Sequence, residues 1–293
     1  METQKNKKPL IVITGPTASG KTSLAIKLAR RFNGEIICAD SRTIYKDIDI
    51  GTAKPSAIEQ EAVPHWGLDL VEPGEYYSVA DFKKYVDNKI SEIRERGHTP
   101  FLVGGTGLYI DSVVFDYQFG SPANNEMRRK LQHMTIEQLQ KYCNDNGILL
   151  PENKTNKRYL IRTIENKNSK PSKRNKPLSE TIIVGITTNK DVLRKRITKR
   201  AEQLLNDGVV NEAKVLGEKY GWDSEAMKSN IYPLVRLYLS KDISLNELKN
   251  KFITLDWRLA KRQLTWMRRN NFIHWLSLND SEVYLSNYLA LHE

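Results

Sequence analysis

Eight consecutive residues near the start of the chain have the composition of a phosphate-binding loop. They are Gly15, Pro16, Thr17, Ala18, Ser19, Gly20, Lys21 and Thr22, which match the pattern G-x-x-x-x-G-K-[S/T]. Glycines let backbone N–H groups approach an anion, and the N-terminus of a following helix adds a favourable dipole. We expect Lys21 to contact terminal phosphate oxygens and Thr22 to offer its hydroxyl to phosphate or to Mg²⁺. The pattern predicts binding of a di- or triphosphate, as in nucleotide- and ATP-binding proteins, but does not predict ATP hydrolysis.

A second candidate site is Asp40-Ser41, which follows the predicted strand 35–39, Glu-Ile-Ile-Cys-Ala. In doubly wound sheets, ligands bind in the crevice beyond the carboxyl ends of the strands. A carboxylate there can hold Mg²⁺ or accept a proton from a substrate. The structural alternative is a helix cap or an Asx-turn, and the spacing alone does not separate these roles. The sequence 104–107, Gly-Gly-Thr-Gly, ends another apolar run, and we expect it at the same edge of the sheet.

Two further segments carry cations at helical spacing. In a predicted helix over 191–205, Arg196 and Arg200 are four residues apart and share one face, which suits bidentate phosphate contacts. In the second segment, 257–269, the residues with RNA-binding chemistry are Arg258, Lys261, Arg262 and Arg269 for phosphates and Gln263 for a base edge. A solvated cationic face is the alternative for the first helix. A core-packed helix with a basic outer face is an equally good interpretation of the second.

The elements that position these residues predict an α/β fold. Short apolar runs alternate with helical periodicity, which is typical of a parallel sheet with flanking helices. The predicted strands are 10–14, 35–39, 101–103, 181–186 and a last one within 272–276. We expect a P-loop NTPase-like core formed by 9–119 and 158–293, interrupted by a small helical insertion subdomain over 120–157. Residues 166–177 are polar, basic and rich in proline, and we interpret them as a loop or a basic arm.

Composition and charge limit the class of protein. The chain has 293 residues, of which 39% are hydrophobic, enough for a sizeable core. No apolar run has the roughly 20 residues of a membrane span, and the only cysteines, Cys38 and Cys143, give no disulfide framework. We therefore expect a reduced, cytoplasmic protein. The net charge is +11, and residues 151–200, with 15 Lys and Arg against 4 Asp and Glu, hold the whole excess. This concentration favours a polyanionic partner, with a solvated charge run as the alternative.

Taken together, the motifs resemble those of the tRNA dimethylallyltransferase family. The matching segments occur in family order and cover most of the chain outside the insertion: 15–22, 39–55, 63–70, 75–82, 100–109, 162–165, 193–200 and 259–268. Gly51-Thr-Ala-Lys-Pro55 and the Ala260-Lys-Arg-Gln263 segment are especially specific to that family. The resemblance implies transfer of a dimethylallyl group from dimethylallyl diphosphate to N6 of adenosine-37 in the tRNA anticodon loop, with release of pyrophosphate.

The resemblance also implies roles for individual residues. Asp40 lies at the position of the family's catalytic aspartate and would accept the N6 proton. Thr22 and Arg196 would assist the departure of pyrophosphate, Lys21 and Arg200 would bind the diphosphate, and Mg²⁺, held at Thr22, is the expected cofactor. The residues expected along the tRNA path are Asp40, Ser41, Arg42, Thr43, Thr106, Arg128, Arg158 and Arg162, in addition to the cations and the glutamine of 257–269. We expect a monomer without a membrane partner.

Three places depart from the family pattern. They are Ile231-Tyr232-Pro233-Leu234, His65-Trp66 and Thr155-Asn156. We expect them near the RNA or at the wall of its channel, where they predict altered substrate choice with intact diphosphate chemistry. Two alternative functions remain open at this point. One is a P-loop kinase for a small molecule or nucleotide, which would consume ATP, and the other is a catalytically silent tRNA-binding paralogue.

Overall fold

The computed structural model describes residues 7–120, 125–166 and 172–292. The chain divides into two compact units. The first comprises Met1–Val114 and Pro177–Glu293, and the second is Phe115–Lys176. The second unit contains the predicted insertion, 120–157, and extends beyond it on both sides because the next helix packs into the same small core.

The first unit is built on a parallel sheet of six strands among the described residues. Its order is β3-β2-β4-β1-β5-β6. The strands are β1 Leu10–Thr14, β2 Gly34–Ala39, β3 His65–Trp66, β4 Thr99–Gly104, β5 Thr181–Ile186 and β6 His274–Leu276. β1, β2 and β4 are buried throughout, as expected for central strands of a sheet covered by helices on both faces. The prediction of an α/β, P-loop NTPase-like fold is confirmed, although the two-residue β3 was not predicted.

The helices follow the strands in the alternation that the sequence predicts. In chain order they are α1 Lys21–Arg31, α2 Ala57–Ala62, α3 Val79–Glu95, α4 Gly107–Val114, α5 Asn125–His133, α6 Ile136–Asp145, α7 Lys157–Glu165, α8 Lys190–Asn206, α9 Val209–Tyr220, a 3-10 turn Ala226–Lys228, α10 Tyr232–Leu239, α11 Leu245–Met267 and α12 Leu278–Ala290. Ser78 and Ser244 begin α3 and α11 with capping boxes, in which side chains satisfy N–H groups that lack helical partners. None of the described helices is long and apolar enough to cross a bilayer.

The second unit has its own core, formed between α5, α6 and α7. The buried residues are Leu131, Leu139, Cys143, Leu160, Ile161 and Ile164. Because α7 supplies half of them, the unit cannot end at residue 157. Within the predicted basic arm, residues 167–171 lie outside the described residues. The part that follows them is tied back to the unit, since Ser172 and Gln118 exchange backbone hydrogen bonds and Arg174 N–H donates to Phe115 O at 2.8 Å.

Candidate functional site

The loop between β1 and α1 presents backbone donors to an anion. Ala18 and Gly20 have positive φ angles of 60° and 94°, and Ser19 N–H donates to Pro16 O. Gly20 is the N-cap of α1 and has no side chain with which to cap the helix. The first N–H groups of α1 are therefore open to a ligand, and the helix dipole favours a negatively charged one. This is the geometry that the motif at 15–22 predicts.

Lys21, the first residue of α1, has an unusual environment for a lysine. Its Nζ donates to Pro16 O at 3.2 Å. Burial lowers the pKa of Lys21 to about 8, a shift that Asp40 opposes and Arg200 increases. The ammonium group is therefore costly to keep charged without a ligand, and a bound anion would stabilise it.

The strand register brings three loops to one edge of the sheet. Thr14 of β1 and Ala39 of β2 both pair with Gly104 of β4. The residues that follow these positions, which include Gly15 and Asp40, consequently emerge side by side. Gly104 permits this close approach, because a Cβ there would overlap the carbonyl oxygen of Ala39.

A cavity of about 380 Å³ opens at this edge. Many residues of the predicted site line this cavity, although they come from separate parts of the first unit. The predicted residues that line it are Thr17, Lys21, Thr22, Asp40, Ser41, Arg42, Thr43, Thr106, Arg200, Arg262 and Gln263. A second cavity of about 870 Å³ shares Lys21, Thr22 and Arg200 with the first. Lys21, Thr22 and Arg200, which were predicted to bind phosphate, therefore lie where the two cavities meet.

Asp40 forms the turn that is the structural alternative, and it also lies in the cavity, where a catalytic carboxylate was expected. Its Oδ1 accepts the N–H of Arg42 at 2.9 Å, which closes an Asx-turn, and the adjacent N–H of Ser41 donates to Thr106 Oγ1 at 3.1 Å. Asp40 also lines the cavity that contains Lys21 and Thr22. The turn fixes the direction of a carboxylate that faces the phosphate loop.

The two arginines of α8 are placed differently. Arg196 Nη1 donates to Ser19 O at 3.0 Å, whereas Arg200 lines both cavities. Arg200 Nη1 donates to Thr17 Oγ1 at 2.9 Å and Nη2 to Thr52 O at 3.3 Å. Thus Arg196 supports the phosphate loop from its backbone, and Arg200 is the arginine in position to contact a ligand.

Helix α11 contributes to the same cavity. Gln263, expected at a base edge, accepts the N–H of Thr17 with its Oε1 at 2.8 Å and lines the cavity. The side chain therefore supports the phosphate-binding loop, and its contact with a base stays a prediction. Arg258, Lys261 and Arg262 are exposed, and Arg262 also lines the cavity. The helix therefore has both predicted features, a core-packed side and a basic outer face.

The sequence analysis missed an acidic residue in the cavity wall. Asp256 is only 3% exposed and accepts a hydrogen bond from Asn230 Nδ2 at 2.9 Å. Burial raises its pKa above the ordinary value, although Arg200 and Asn230 act in the opposite direction. The spacing of Asp256 in the sequence could have revealed it, because it continues the buried series Leu248 and Phe252 at four-residue intervals. A charged residue is rare at such a buried position.

The predicted RNA contacts in the second unit divide into paired and exposed groups. Arg128 and Arg162 both form ion pairs with Glu165, at 2.6 and 3.1 Å. The side chain of Glu165 is only 1% exposed; its pair with Arg128 joins α5 to α7, whereas its pair with Arg162 lies within α7. Arg158 is exposed at the start of α7 and is the better placed of the three for a phosphate.

Most residues that depart from the family pattern serve packing, hydrogen bonding or helix capping. Ile231, Tyr232 and Leu234 are buried, so the expectation that this stretch lies at an RNA channel is wrong for these side chains. Trp66 donates to buried Glu35 at 2.6 Å. Asn156 caps α7 by accepting the N–H of Arg158. Of the residues at these three departures, His65 is the one that lines the cavity.

Comparison with known proteins decides the family. The sequence profile described as IPP transferase matches residues 43–270, and that described as isopentenyl transferase matches 8–66. The chain belongs to the IPP transferase family. Two relatives similar to this chain are tRNA dimethylallyltransferases. That of Bacillus subtilis is 35% identical over 288 residues, covering 93% of this chain and 91% of the relative. That of Streptococcus mutans is 37% identical, covering 94% and 95%.

A solved structure supports the same family assignment. The tRNA isopentenylpyrophosphate transferase of Bacillus halodurans superposes with a TM-score of 0.73 at 33% sequence identity. The match covers 98% of this chain and 97% of that one. The family resemblance inferred from the motifs is confirmed.

Proposed function

We propose that this protein transfers a dimethylallyl group from dimethylallyl diphosphate to N6 of adenosine-37 in the anticodon loop of tRNA. One observation carries the proposal: Asp40 shares a single cavity with Lys21, Thr22 and Arg200. A general base and a diphosphate-binding group must face each other across the reacting atoms. Other P-loop enzymes transfer a phosphoryl group, whereas here the diphosphate is the leaving group.

Different residues of the cavity would stabilise the leaving group and accept the proton. The bond between the allylic carbon and the diphosphate oxygen breaks while the bond from that carbon to N6 forms. Lys21, Thr22, Arg200 and the N–H groups at the start of α1 would stabilise the charge that develops on pyrophosphate. Asp40 would accept the proton that N6 loses, which matters because the N6 lone pair is delocalised into the ring. Arg196, whose Nη1 donates to Ser19 O in the phosphate-binding loop, would assist the departure of pyrophosphate as the resemblance implies, and Arg200 would bind the diphosphate.

The site is compatible with Mg²⁺. Thr22 and Asp40 place oxygen donors on one cavity, and oxygen is the ligand that Mg²⁺ prefers. The described residues contain no group of three or more His, Cys, Asp or Glu that could hold a metal. A magnesium ion at Thr22 would therefore be held largely by the diphosphate, whose charge it would neutralise.

The RNA would approach the cavity with its target base extruded. Extrusion from a folded loop costs a few kcal/mol in lost stacking, which phosphate contacts can offset. The exposed cations Arg258, Lys261 and Arg262 on α11 and Arg158 on α7 suit such contacts. The reaction would take place in the cytoplasm, on a monomeric enzyme.

A consumption assay tests the proposal. The protein is incubated with unmodified tRNA and either dimethylallyl diphosphate or ATP, and pyrophosphate and ADP are measured. We expect pyrophosphate only with dimethylallyl diphosphate and only with tRNA present. ADP formation from ATP in the presence of a small-molecule or nucleotide acceptor, with phosphate transferred to that acceptor, would instead indicate a kinase, and binding of tRNA without any product would indicate a silent paralogue.

A further inference from the structure

A single carboxylate on α9 organises one wall of the candidate active site. Glu212 Oε2 accepts the backbone N–H groups of Asp49 at 2.9 Å and Ile50 at 2.7 Å. Its Oε1 accepts the N–H of Gly51 at 2.8 Å and the hydroxyl of Tyr232 at 2.7 Å. A carboxylate has about four lone-pair sites, so these bonds use its whole capacity. Hydrogen bonds to an ionised acceptor are roughly twice as strong as those between neutral groups.

The loop that Glu212 holds leads directly to Arg200. Gly51, Thr52, Ala53 and Pro55 line the cavity. The carbonyl of Thr52 accepts from Arg200 Nη2, and the other terminal nitrogen of Arg200 donates to Thr17 in the phosphate loop. The guanidinium is thus held between two loops, of which the second is fixed through Glu212.

Tyr232 also contacts this loop and supports its position. It is fully buried, and a Cβ on Gly51 would come to 2.5 Å from its ring, so the loop backbone lies directly against the aromatic side chain. Burial and the neighbouring Glu212 raise the pKa of Tyr232, so its hydroxyl remains a donor. This gives the buried Tyr232 a structural role within the 231–234 stretch, in which Pro233 is exposed.

We propose that Glu212 is a positioning residue for the diphosphate: it fixes loop 49–51 so that the Thr52 carbonyl directs Arg200 toward the anion. The inference rests on the proposed function, because it takes the phosphate loop and Arg200 as the diphosphate site. Glu212 itself touches neither substrate. Its effect should therefore appear in the binding of the diphosphate and not in the binding of tRNA.

The test compares Glu212→Gln with wild type. Glutamine keeps the size of the side chain but replaces one oxygen with an NH₂ group, which faces backbone donors and cannot accept from them. Binding of inorganic pyrophosphate is measured by calorimetry, tRNA binding by filter retention, and kcat and KM by turnover. We expect about tenfold weaker pyrophosphate binding and a similarly raised KM for dimethylallyl diphosphate, with unchanged affinity for tRNA. Glu218→Gln, on the exposed side of the same helix, is the matched control.

A second variant covers the case in which Glu212→Gln does not fold. Tyr232→Phe removes only one of the four hydrogen bonds and keeps the ring, and we expect a smaller loss of pyrophosphate binding in the same direction. Wild-type pyrophosphate affinity in a folded Glu212→Gln protein, or in Tyr232→Phe if the first is unfolded, would overturn the inference. Absence of pyrophosphate binding in the wild-type protein would instead contradict the proposed function.

Discussion

The backbone N–H of Thr17 donates a 2.8 Å hydrogen bond to Oε1 of Gln263, which ties the phosphate loop to the C-terminal part of α11. Gln263 also packs against the third loop of the site, because a Cβ on Gly105 would overlap its Nε2. The helix with the exposed basic face therefore also supports the site where the anion would bind.

This relationship predicts the effect of Gln263→Leu. Leucine removes the acceptor of the Thr17 N–H, and an unsatisfied buried donor costs about 1–3 kcal/mol. We expect pyrophosphate binding, measured by calorimetry, to weaken by roughly 5- to 100-fold. Thr265→Ala, at an exposed position of the same helix, should bind as wild type does. Unaltered binding in Gln263→Leu would show that the loop keeps its conformation without the bond.

Lys21 predicts a pH dependence of anion binding. Because its pKa is lowered to about 8, it is charged below that value and loses its charge as the pH rises through it. Where binding needs the charged form, each pH unit above about 8 should cost up to tenfold in affinity. The measurement is calorimetry with pyrophosphate between pH 7 and pH 9.5. Lys21→Arg, which stays charged, corrects for the titration of pyrophosphate itself, and parallel curves for the two proteins would contradict the assignment.

Asp256 predicts a stability gain on neutralisation. Its pKa is raised in the folded protein, so the native state binds a proton more tightly than the unfolded state does. The free energy of unfolding therefore falls as the pH rises from the ordinary aspartate value of 3.8 to the raised one, and remains lower above it. Asp256→Asn keeps an oxygen for Asn230 and should be more stable at pH 7, by about 1.4 kcal/mol per unit of pKa shift.

Urea unfolding at several pH values checks this expectation. The advantage of Asp256→Asn should shrink below pH 4 or so, where the aspartate is protonated in both states. Asp223→Asn, whose side chain is 97% exposed, is the control and should change little at any pH. An Asn variant that is less stable than wild type at neutral pH would mean that the charged form of Asp256 is favoured by its surroundings.

The fold and much of the site followed from the sequence, for physical reasons. β1 and β5 have the predicted bounds because buried apolar runs between turn residues have few alternatives. The two-residue β3 carries no such signal, since its pairing with β2 defines it. The spacing of Arg196 and Arg200 predicted that both lie on one face of the helix, but it did not predict which of them reaches Thr17. The role of Gln263 depends on a contact between residues 246 positions apart, which no local pattern encodes.

The charge excess of 151–200 proved to be divided between the two units. Its first part belongs to the second unit, which ends at Lys176, and its last part to α8 of the first. Arg162 is paired with Glu165, and Arg196 and Arg200 serve the phosphate loop. The cations that remain exposed for RNA include Lys173, Arg174 and Lys176.

These three residues predict a change in salt dependence. Neutralising Lys173, Arg174 and Lys176 together should weaken tRNA binding and reduce the slope of log K against log salt by up to about 0.7 per lost single-strand contact. The control exchanges the cations, Lys173→Arg, Arg174→Lys and Lys176→Arg, and should keep the wild-type slope. If neutralisation leaves the slope unchanged, the segment is a solvated loop.

The most direct test of the account is single-turnover transfer by Asp40→Asn. Asparagine retains an oxygen for the Arg42 N–H but cannot act as a base at neutral pH. Enzyme in excess is mixed with unmodified tRNA and dimethylallyl diphosphate, the RNA is digested, and the nucleosides are identified by mass spectrometry. We predict that wild type forms adenosine carrying one dimethylallyl group and that Asp40→Asn binds tRNA and pyrophosphate normally but reacts 10²–10⁴-fold more slowly. Turnover of Asp40→Asn close to that of wild type would contradict the assignment of Asp40 as the base that faces the phosphate loop.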